Sequence, residues 1–231
     1  KKAFRICFNM LIFAKKYKLI RIVQQNDWVV IILVSCIFLY IFMLLSLRRD
    51  SSVTEFLLQR FADSTNNFLS WIIISLVFAL VLSVFVSQNI PVVPQKISDF
   101  QFFGYELNKF GFTFVGISVF YFLKNILTYL YFAGTGAAKK WEVFYFIASK
   151  FYFCFSIVIM ILCLIQYFYR FDKWVMFDVY LAVFAFAFLF KQIYYILHSS
   201  NILPQKWYYK FLYICTLQIV PVLVLWKLLF F

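Results

Sequence analysis

Six long apolar runs divide this sequence, and they constrain its fold more than any other feature. They cover residues 28–47, 68–87, 110–132, 143–169, 174–198 and 207–230. At ~1.5 Å of rise per residue, a helix over any of these runs can cross a hydrocarbon core ~30 Å thick. A helix also satisfies its own backbone hydrogen bonds in lipid, where no water is at hand. The sequence therefore predicts an all-α, polytopic membrane protein with six transmembrane helices.

The composition indicates that lipid is the main solvent of the chain. Hydrophobic residues make up 65% of it, the mean hydropathy is +0.90, and 34 of the 231 residues are Phe. A water-soluble domain of this size could not bury so much apolar surface. The formal net charge is +13, from 22 Lys and Arg against 9 Asp and Glu. Because the basic residues are scattered between the apolar runs, they indicate anionic phospholipid as a partner and not nucleic acid.

The distribution of basic residues predicts the orientation. Lys and Arg are more numerous in the N-terminal segment and in the second and fourth loops than in the other three loops. By the positive-inside rule, both termini face the cytoplasm. Residues 1–27 mix basic with large apolar residues, which predicts an N-terminal interfacial amphipathic helix; a basic tail that binds nothing in particular is the alternative. Residues 28–231 then form the six-helix transmembrane domain.

Three connecting segments have patterns of their own. The stretch Val53–Leu58 predicts a short amphipathic helix on the outer surface. After two prolines, residues 97–108 predict a second interfacial helix. The glycine-containing residues 133–138 predict a flexible turn. This segment follows a membrane span instead of a strand and lacks a third glycine, so a nucleotide-binding loop is not expected there.

Three lysines lie well inside consecutive apolar runs. Lys124, Lys150 and Lys191 stand ~10–12 Å from the outer ends of spans three, four and five. An ammonium group near the centre of a span costs ~2.5–3.5 kcal/mol on insertion scales, so three of them at one depth predict a binding cluster for an anion. The alternative is that each lysine stretches its stem back to water or phosphate and has no specific role.

Polar residues accompany these lysines at helical spacing, so the polar faces of spans three to five are expected to converge. Asn125 adjoins Lys124 in span three. Tyr195 and His198 continue the face of Lys191 in span five. Because His198 is the single histidine of the chain, a histidine-based metal site is excluded, and we expect no cofactor.

Acidic residues within the spans are too few to neutralise the lysines. Of the 9 Asp and Glu, only Asp178 lies clearly inside a span, near its cytoplasmic end and far from the lysines. The counter-charge is therefore expected to come from lipid phosphate, from a bound anionic ligand or from a carboxylate on another subunit.

The last span has a polar position near mid-membrane. Pro221 cannot donate a hydrogen bond to the carbonyl of Leu217, which leaves an acceptor beside the Gln218 amide. Either the helix kinks at Pro221, or these groups complete a polar site.

The stretch from Tyr213 through Pro221 to Lys227 resembles the C-terminal signature of a family of small Bacteroidetes integral membrane proteins without assigned function, the domain of unknown function 4271 type. The Phe-rich spans, with a lysine at the position of Lys124, are similar over most of the chain. The family pattern usually has an acid where this chain has Gln218, which argues against a proton-carrying role here. The resemblance implies the inner membrane of a diderm bacterium and supplies no activity.

These features favour a non-catalytic subunit or scaffold of an inner-membrane, cell-envelope complex. Its lysine cluster would bind a partner carboxylate or an anionic phospholipid, and other membrane subunits are the expected partners. The alternative is a transporter or carrier of an anionic lipid or a small anion, with Lys124, Lys150 and Lys191 as its binding ring. An enzyme acting on lipid ranks last, because no Ser–His–Asp set, metal cluster or carboxylate pair stands at span depth. We therefore expect no catalytic residues.

Overall fold

A computed structural model describes residues 27–47, 52–61, 66–89, 101–102, 105–106, 109–138, 140–168, 173–197 and 207–230. Apart from residue 27, the predicted interfacial helix at the N-terminus lies outside this part of the chain. The described elements, in chain order, are α1 (Asp27–Phe42) with a π-helical extension (Met43–Leu47), α2 (Val53–Leu58), α3 (Asn67–Asn89), β1 (Gln101–Phe102), β2 (Tyr105–Glu106), α4 (Lys109–Gly134), α5 (Lys140–Phe168), α6 (Lys173–Leu197), α7 (Trp207–Leu212), a second π-helix (Tyr213–Ile219) and α8 (Val220–Phe230).

Six helical stretches of the described chain are long and apolar enough to cross a membrane. They are Trp28–Leu47, Asn67–Asn89, Lys109–Gly134, Lys140–Phe168, Asp178–Tyr195 and Tyr208–Leu225. The predicted all-α, six-span fold class is confirmed, and the chain is a multi-pass membrane protein by this measure. Which membrane it occupies, and which side each terminus faces, stay predictions.

The helix α3 lies at the centre of the bundle. More than half of its most apolar window is buried (56%), against 17–28% in the other five spans. It packs against α1, α4 and α5. Its buried small residues Ser70, Ala79 and Ser83 allow close approach of the neighbouring helices, as is usual in membrane bundles. The Ser83 hydroxyl donates to the carbonyl of Ala79, so this polar group is satisfied within its own helix.

The helix predicted over Val53–Leu58 is present as α2, and it is held at its start by a capping box. The Ser52 hydroxyl accepts a hydrogen bond from the Glu55 N–H at 3.2 Å, and the Glu55 carboxylate accepts one from the Ser52 N–H at 2.8 Å. These contacts satisfy backbone donors that the first turn of a helix leaves unpaired. Phe56 is buried and packs edge-on against Phe153 of α5, with ring centroids 5.3 Å apart. The helix α2 is therefore anchored to the bundle.

The prediction of a helix over residues 97–108 is wrong for the residues that the structure describes there. Gln101–Phe102 and Tyr105–Glu106 form a short antiparallel strand pair, in which Phe102 lies opposite Tyr105. Two residues, one of them glycine, connect the strands in the sequence. Aromatic residues favour extended backbone, and a two-residue connection containing glycine is typical of a hairpin. These local preferences outweigh the weak amphipathic pattern on which the helix prediction was based.

The predicted turn after the third span is present. The helix α4 ends at Gly134, and Gly136 adopts a positive φ of 70°. The Ala137 N–H then donates to the carbonyl of Phe132 at 2.9 Å. A left-handed glycine with such a backward hydrogen bond is a common way to satisfy the last carbonyls of a helix. The turn directs the chain into α5.

The helix α6 contacts the bundle mainly through long side chains. Tyr180 packs against Phe85 of α3, with ring centroids 4.7 Å apart. Phe184 lies 5.4 Å from the same ring and 5.3 Å from the ring of Phe155 on α5. Large rings hold two helices apart more than small residues do. This packing leaves space between α5 and α6.

Candidate functional site: a buried lysine cluster

Lys124 of α4 is buried among neutral polar groups of the last span. Its ammonium donates a hydrogen bond to Gln218 Oε1 at 3.0 Å. The Gln218 amide in turn donates to the Tyr213 hydroxyl. Lys124 is 8% exposed and Gln218 only 1%. The chain therefore places a full positive charge inside the bundle, opposite an amide oxygen.

The π-helical backbone brings Gln218 and Tyr213 together. They are five residues apart in the segment Tyr213–Ile219. In an α-helix, residues five apart point in different directions, because only the i+3 and i+4 positions share a face. A π-helix is wider and has hydrogen bonds between residues five apart, so side chains at that spacing point in more similar directions than they do in an α-helix. The Val220 N–H donates to the Cys215 carbonyl in this pattern, immediately before Pro221.

Lys191 of α6 is the second buried lysine, with 5% exposure. Its ammonium donates to the hydroxyl of Tyr152 on α5 at 2.9 Å. It also lies 4.4 Å from the ring centroid of Tyr152, 5.5 Å from that of Phe151 and 5.6 Å from that of Tyr195. Aromatic rings attract cations through their quadrupole and so offset part of the desolvation cost of the ammonium.

Two tyrosines connect the lysines into one cluster. The Lys124 ammonium lies 6.0 Å from the ring centroid of Tyr121, and the Tyr121 ring meets the Tyr152 ring edge to face at 5.9 Å. Tyr152 is the hydrogen-bond partner of Lys191. We call Lys124, Lys191, Tyr121, Tyr152, Tyr213 and Gln218 the buried lysine cluster.

The acceptors that the described chain offers to both ammonium groups are neutral. Neither Lys124 nor Lys191 has a carboxylate within ion-pair distance among the described residues. Three carboxylates have described side chains, and all three are exposed to the surroundings: Glu55, Glu142 and Asp178. The part of the chain that the structure describes also contains no group of three or more His, Cys, Asp and Glu able to hold a metal ion.

Buried polar atoms within one turn of Lys191 along α6 lack hydrogen-bond partners among the described residues. They are both amide atoms of Gln192 and the hydroxyl of Tyr195. Gln192 is 6% exposed and Tyr195 is 2% exposed. An unsatisfied buried polar group costs ~1–3 kcal/mol. Groups of this kind in a bundle interior indicate a place where a polar molecule or another polar group can bind.

Lys150 of α5 lies elsewhere, although the sequence places it at a similar depth. Its ammonium donates to the backbone carbonyls of Leu57, at 2.9 Å, and of Gln59. It lies 4.6 Å from the ring centroid of Phe146. These carbonyls stand at the C-terminal end of α2, where backbone oxygens lack partners within the helix and carry partial negative charge. Lys150 therefore caps α2.

The structure thus brings together some of the predicted site residues and separates others. Lys124, Lys191 and Gln218 belong to the buried lysine cluster, and Tyr195 borders it. Lys150 does not belong to it. Asn125 is half-buried on α4, and His198 lies outside the described residues.

Two residues of this region were missed at the sequence level. Tyr213 aligns with Gln218 only because the backbone is π-helical there, and no sequence signal distinguished that segment from an α-helix. Gln192 could have been noticed, because a glutamine next to an intramembrane lysine is itself expensive to bury.

The chain belongs to a family described as a domain of unknown function (DUF4271), whose model matches residues 29–229. This match covers all six spans, and it confirms the family suggested by the C-terminal stretch. No curated protein matches the chain, and no solved structure does either. The Bacteroidetes origin stays a prediction.

Proposed function

We propose that this member of the DUF4271 family is a non-catalytic subunit or scaffold of an inner-membrane, cell-envelope complex, with both termini in the cytoplasm. In this proposal the buried lysine cluster receives a negative group from outside the chain. The observation that carries it is the pairing of Lys124 and Lys191 with neutral oxygens only, among the described residues.

The energetics of the lysine pair support an external anion. Placing an ammonium group near the middle of a span costs ~2.5–3.5 kcal/mol on insertion scales. A hydrogen bond to a charged group contributes ~1.5–3 kcal/mol. For each lysine, this contribution at best offsets the cost of placing the ammonium group in the span. A carboxylate from outside the chain would give an ammonium group a charged partner in place of a neutral one.

The position of the cluster favours a carboxylate carried by a partner helix over a lipid phosphate. Lys124 lies ten residues before the end of α4, and Lys191 lies six before the end of α6, so they stand ~9–15 Å along their helices from those ends. Both lysines are buried inside the bundle, away from the head groups where a lipid phosphate lies, whereas an Asp or Glu on a partner helix can stand at any depth.

Co-purification from the native membrane tests this proposal. The full chain is extracted in mild detergent as wild type, Lys124→Met, Lys191→Met and Lys227→Met. Lys227 is exposed on α8 and provides a matched lysine-to-methionine control. We expect a second membrane protein to co-purify with the wild type and the control, and to be lost from the Lys124→Met and Lys191→Met variants.

Two results would count against the subunit hypothesis. One is a wild-type chain that leaves the native membrane as a monodisperse monomer. The other is a partner that is retained equally by all three variants, because its binding would then not depend on the buried lysines. Loss of anionic lipid phosphorus, instead of a protein, from the Lys124→Met and Lys191→Met samples would identify phospholipid as the occupant.

A second candidate function is a carrier of an anionic lipid or a small anion. It is favoured by the Tyr195 hydroxyl, which has no hydrogen-bond partner among the described residues and whose ring centroid lies 5.6 Å from the Lys191 ammonium, since this hydroxyl could donate to an anion bound at Lys191. Proteoliposomes loaded with chloride or inorganic phosphate, or labelled with fluorescent phosphatidylglycerol, test it. Transport by the wild type that is abolished in Lys191→Met and kept in Lys227→Met would support a carrier. Equal leakage in all samples would remove this candidate.

A further inference from the structure

A long apolar groove runs between α5 and α6, outside the buried lysine cluster. Its volume is about 500 Å³. Its lining includes Leu57 of α2, Lys150 and Phe151 of α5, and Phe186, Ala187 and Phe190 of α6. Phe186 is 73% exposed and Phe190 is 54% exposed, so the groove opens sideways, toward the lipid.

The dimensions of the groove match one leaflet of a bilayer. On α5 its lining extends from Ile147 to Val158, and on α6 from Val183 to Tyr194. Each stretch is ~16 Å long at the helical rise. The hydrocarbon core of a bilayer is ~30 Å thick, so the acyl chains of one leaflet extend over ~15 Å. The groove therefore has the length of one acyl chain, and its walls are almost entirely carbon.

A positive charge stands near one end of the groove. The helices are antiparallel, because Tyr152 meets Lys191 whereas Phe155 meets Phe184. Lys150 is hence at the same end as Tyr194 and the α2 residue Leu57. The carbonyls of Leu57 and Gln59 fix its ammonium there. An anionic group at this end would be attracted by the charge of the Lys150 ammonium.

We propose that this groove binds one acyl chain of an anionic phospholipid, with the lipid phosphate next to Lys150. The acyl chain would lie along Phe151 and Ala187, and the lipid head group would lie beside the end of α2. Neither Lys124 nor Lys191 lines the groove, so this inference does not depend on the proposed function. A lipid fits the groove better than a partner helix does, because the groove has the length of one leaflet and has a cation near one end.

A pair of tryptophan variants tests the acyl-chain part. Ala187→Trp would fill the groove, while Ala185→Trp places the same ring on an exposed position of the same helix outside the lining. The full chain in mild detergent is titrated with dioleoyl-phosphatidylglycerol, and bound lipid is counted by native mass spectrometry. We expect about tenfold weaker binding in Ala187→Trp, since blocking two or three methylenes suffices for that loss. Equal binding in both variants would overturn the proposal.

The head-group part is tested with Lys150. Wild type is expected to retain dioleoyl-phosphatidylglycerol better than dioleoyl-phosphatidylcholine, which has the same chains and no net charge. Lys150→Met should abolish this preference, and Lys150→Arg should keep it. A preference that survives in Lys150→Met would overturn the role of the lysine. If Ala187→Trp instead splits a dimer and leaves lipid binding unchanged, a second copy occupies the groove, and the lipid proposal fails.

Discussion

Lys124 and Lys150 are the same kind of residue at similar depth in neighbouring helices, yet the structure uses them differently. Lys124 donates to a side-chain amide that is itself part of a chain of polar side chains. Lys150 donates to two backbone carbonyls at the end of a short helix. The first arrangement places a charge where the described residues supply no anion. The second places a charge where the backbone already has a partial negative charge.

The difference shows that the depth of an intramembrane lysine does not by itself indicate what the lysine binds. Lys150 has a structural role, since α2 connects two spans and its last carbonyls would otherwise need water or another donor. Lys124 and Lys191 add little to the packing of the helices, because apolar residues in their places would hold the helices together at least as well. A site is therefore identified by the partners of the lysine and not by its depth.

The largest expected effect comes from removing the acceptor of Lys124. Gln218→Leu would leave the ammonium without its hydrogen bond and the Tyr213 hydroxyl without a partner. We expect a loss of ~3 kcal/mol in the free energy of unfolding, measured by thermal unfolding of the purified chain in detergent. Thr216→Val, at an exposed position of the same π-helix, is the control. Equal unfolding temperatures for the two variants would show that the Lys124–Gln218 hydrogen bond does not contribute to stability.

The next effect is the recovery of stability in a double variant. Lys124→Met combined with Gln218→Leu replaces both partners by apolar groups, which is often neutral in a buried site. We expect the double variant to regain ~2 kcal/mol relative to Gln218→Leu alone, as a double-mutant cycle would measure. Simple addition of the two single effects would show that the residues do not interact.

A smaller effect is expected at Lys150. Lys150→Met would remove the donor to the Leu57 and Gln59 carbonyls, with a cost of ~1–2 kcal/mol that falls mainly on α2. Because Arg60 follows these residues and is exposed, trypsin should cleave after it faster in this variant. Lys150→Arg retains the charged donor and should restore the wild-type rate. If Lys150→Met unfolds the whole bundle as strongly as Gln218→Leu does, the distinction between the two lysines is lost.

The smallest effect is expected at the other end of α2. Ser52→Ala removes the side chain that accepts from the Glu55 N–H, and losing such a cap costs ~1 kcal/mol. Cleavage after Arg60 should rise less than in Lys150→Met, while Ser52→Thr should keep the wild-type rate. A larger increase in Ser52→Ala than in Lys150→Met would mean that the N-terminal cap, and not the lysine, holds α2 in place.

The spans could be predicted from the sequence because span formation depends on length and average hydropathy, which are local properties. The helix α2 was also predictable, from its amphipathic pattern. The strand pair near residue 104 was not, because aromatic and glycine preferences over a few residues outweighed a weak helical pattern. Local residue preferences have the largest influence on secondary structure in segments that do not have to bury a large apolar face.

The candidate site was predicted only in part. The burial of Lys124 and Lys191 follows from their positions in apolar runs, and the choice of Gln218 follows from its depth in the last span. The pairing could not be derived, because it depends on which helices are neighbours and on a change of helix type at Tyr213–Ile219. The partners of Lys150 are backbone carbonyls of a loop segment, and they have no signature in the side-chain sequence.

The π-helical segment also determines the direction, about the helix axis, in which the side chains after it point. It closes its turns over one residue more than an α-helix does, and one residue corresponds to ~100° about the helix axis. The final helix, Val220–Phe230, is accordingly turned by about that angle from where an uninterrupted α-helix would direct it. Deleting a single residue within the segment would rotate the whole C-terminal end and present a different face to its surroundings.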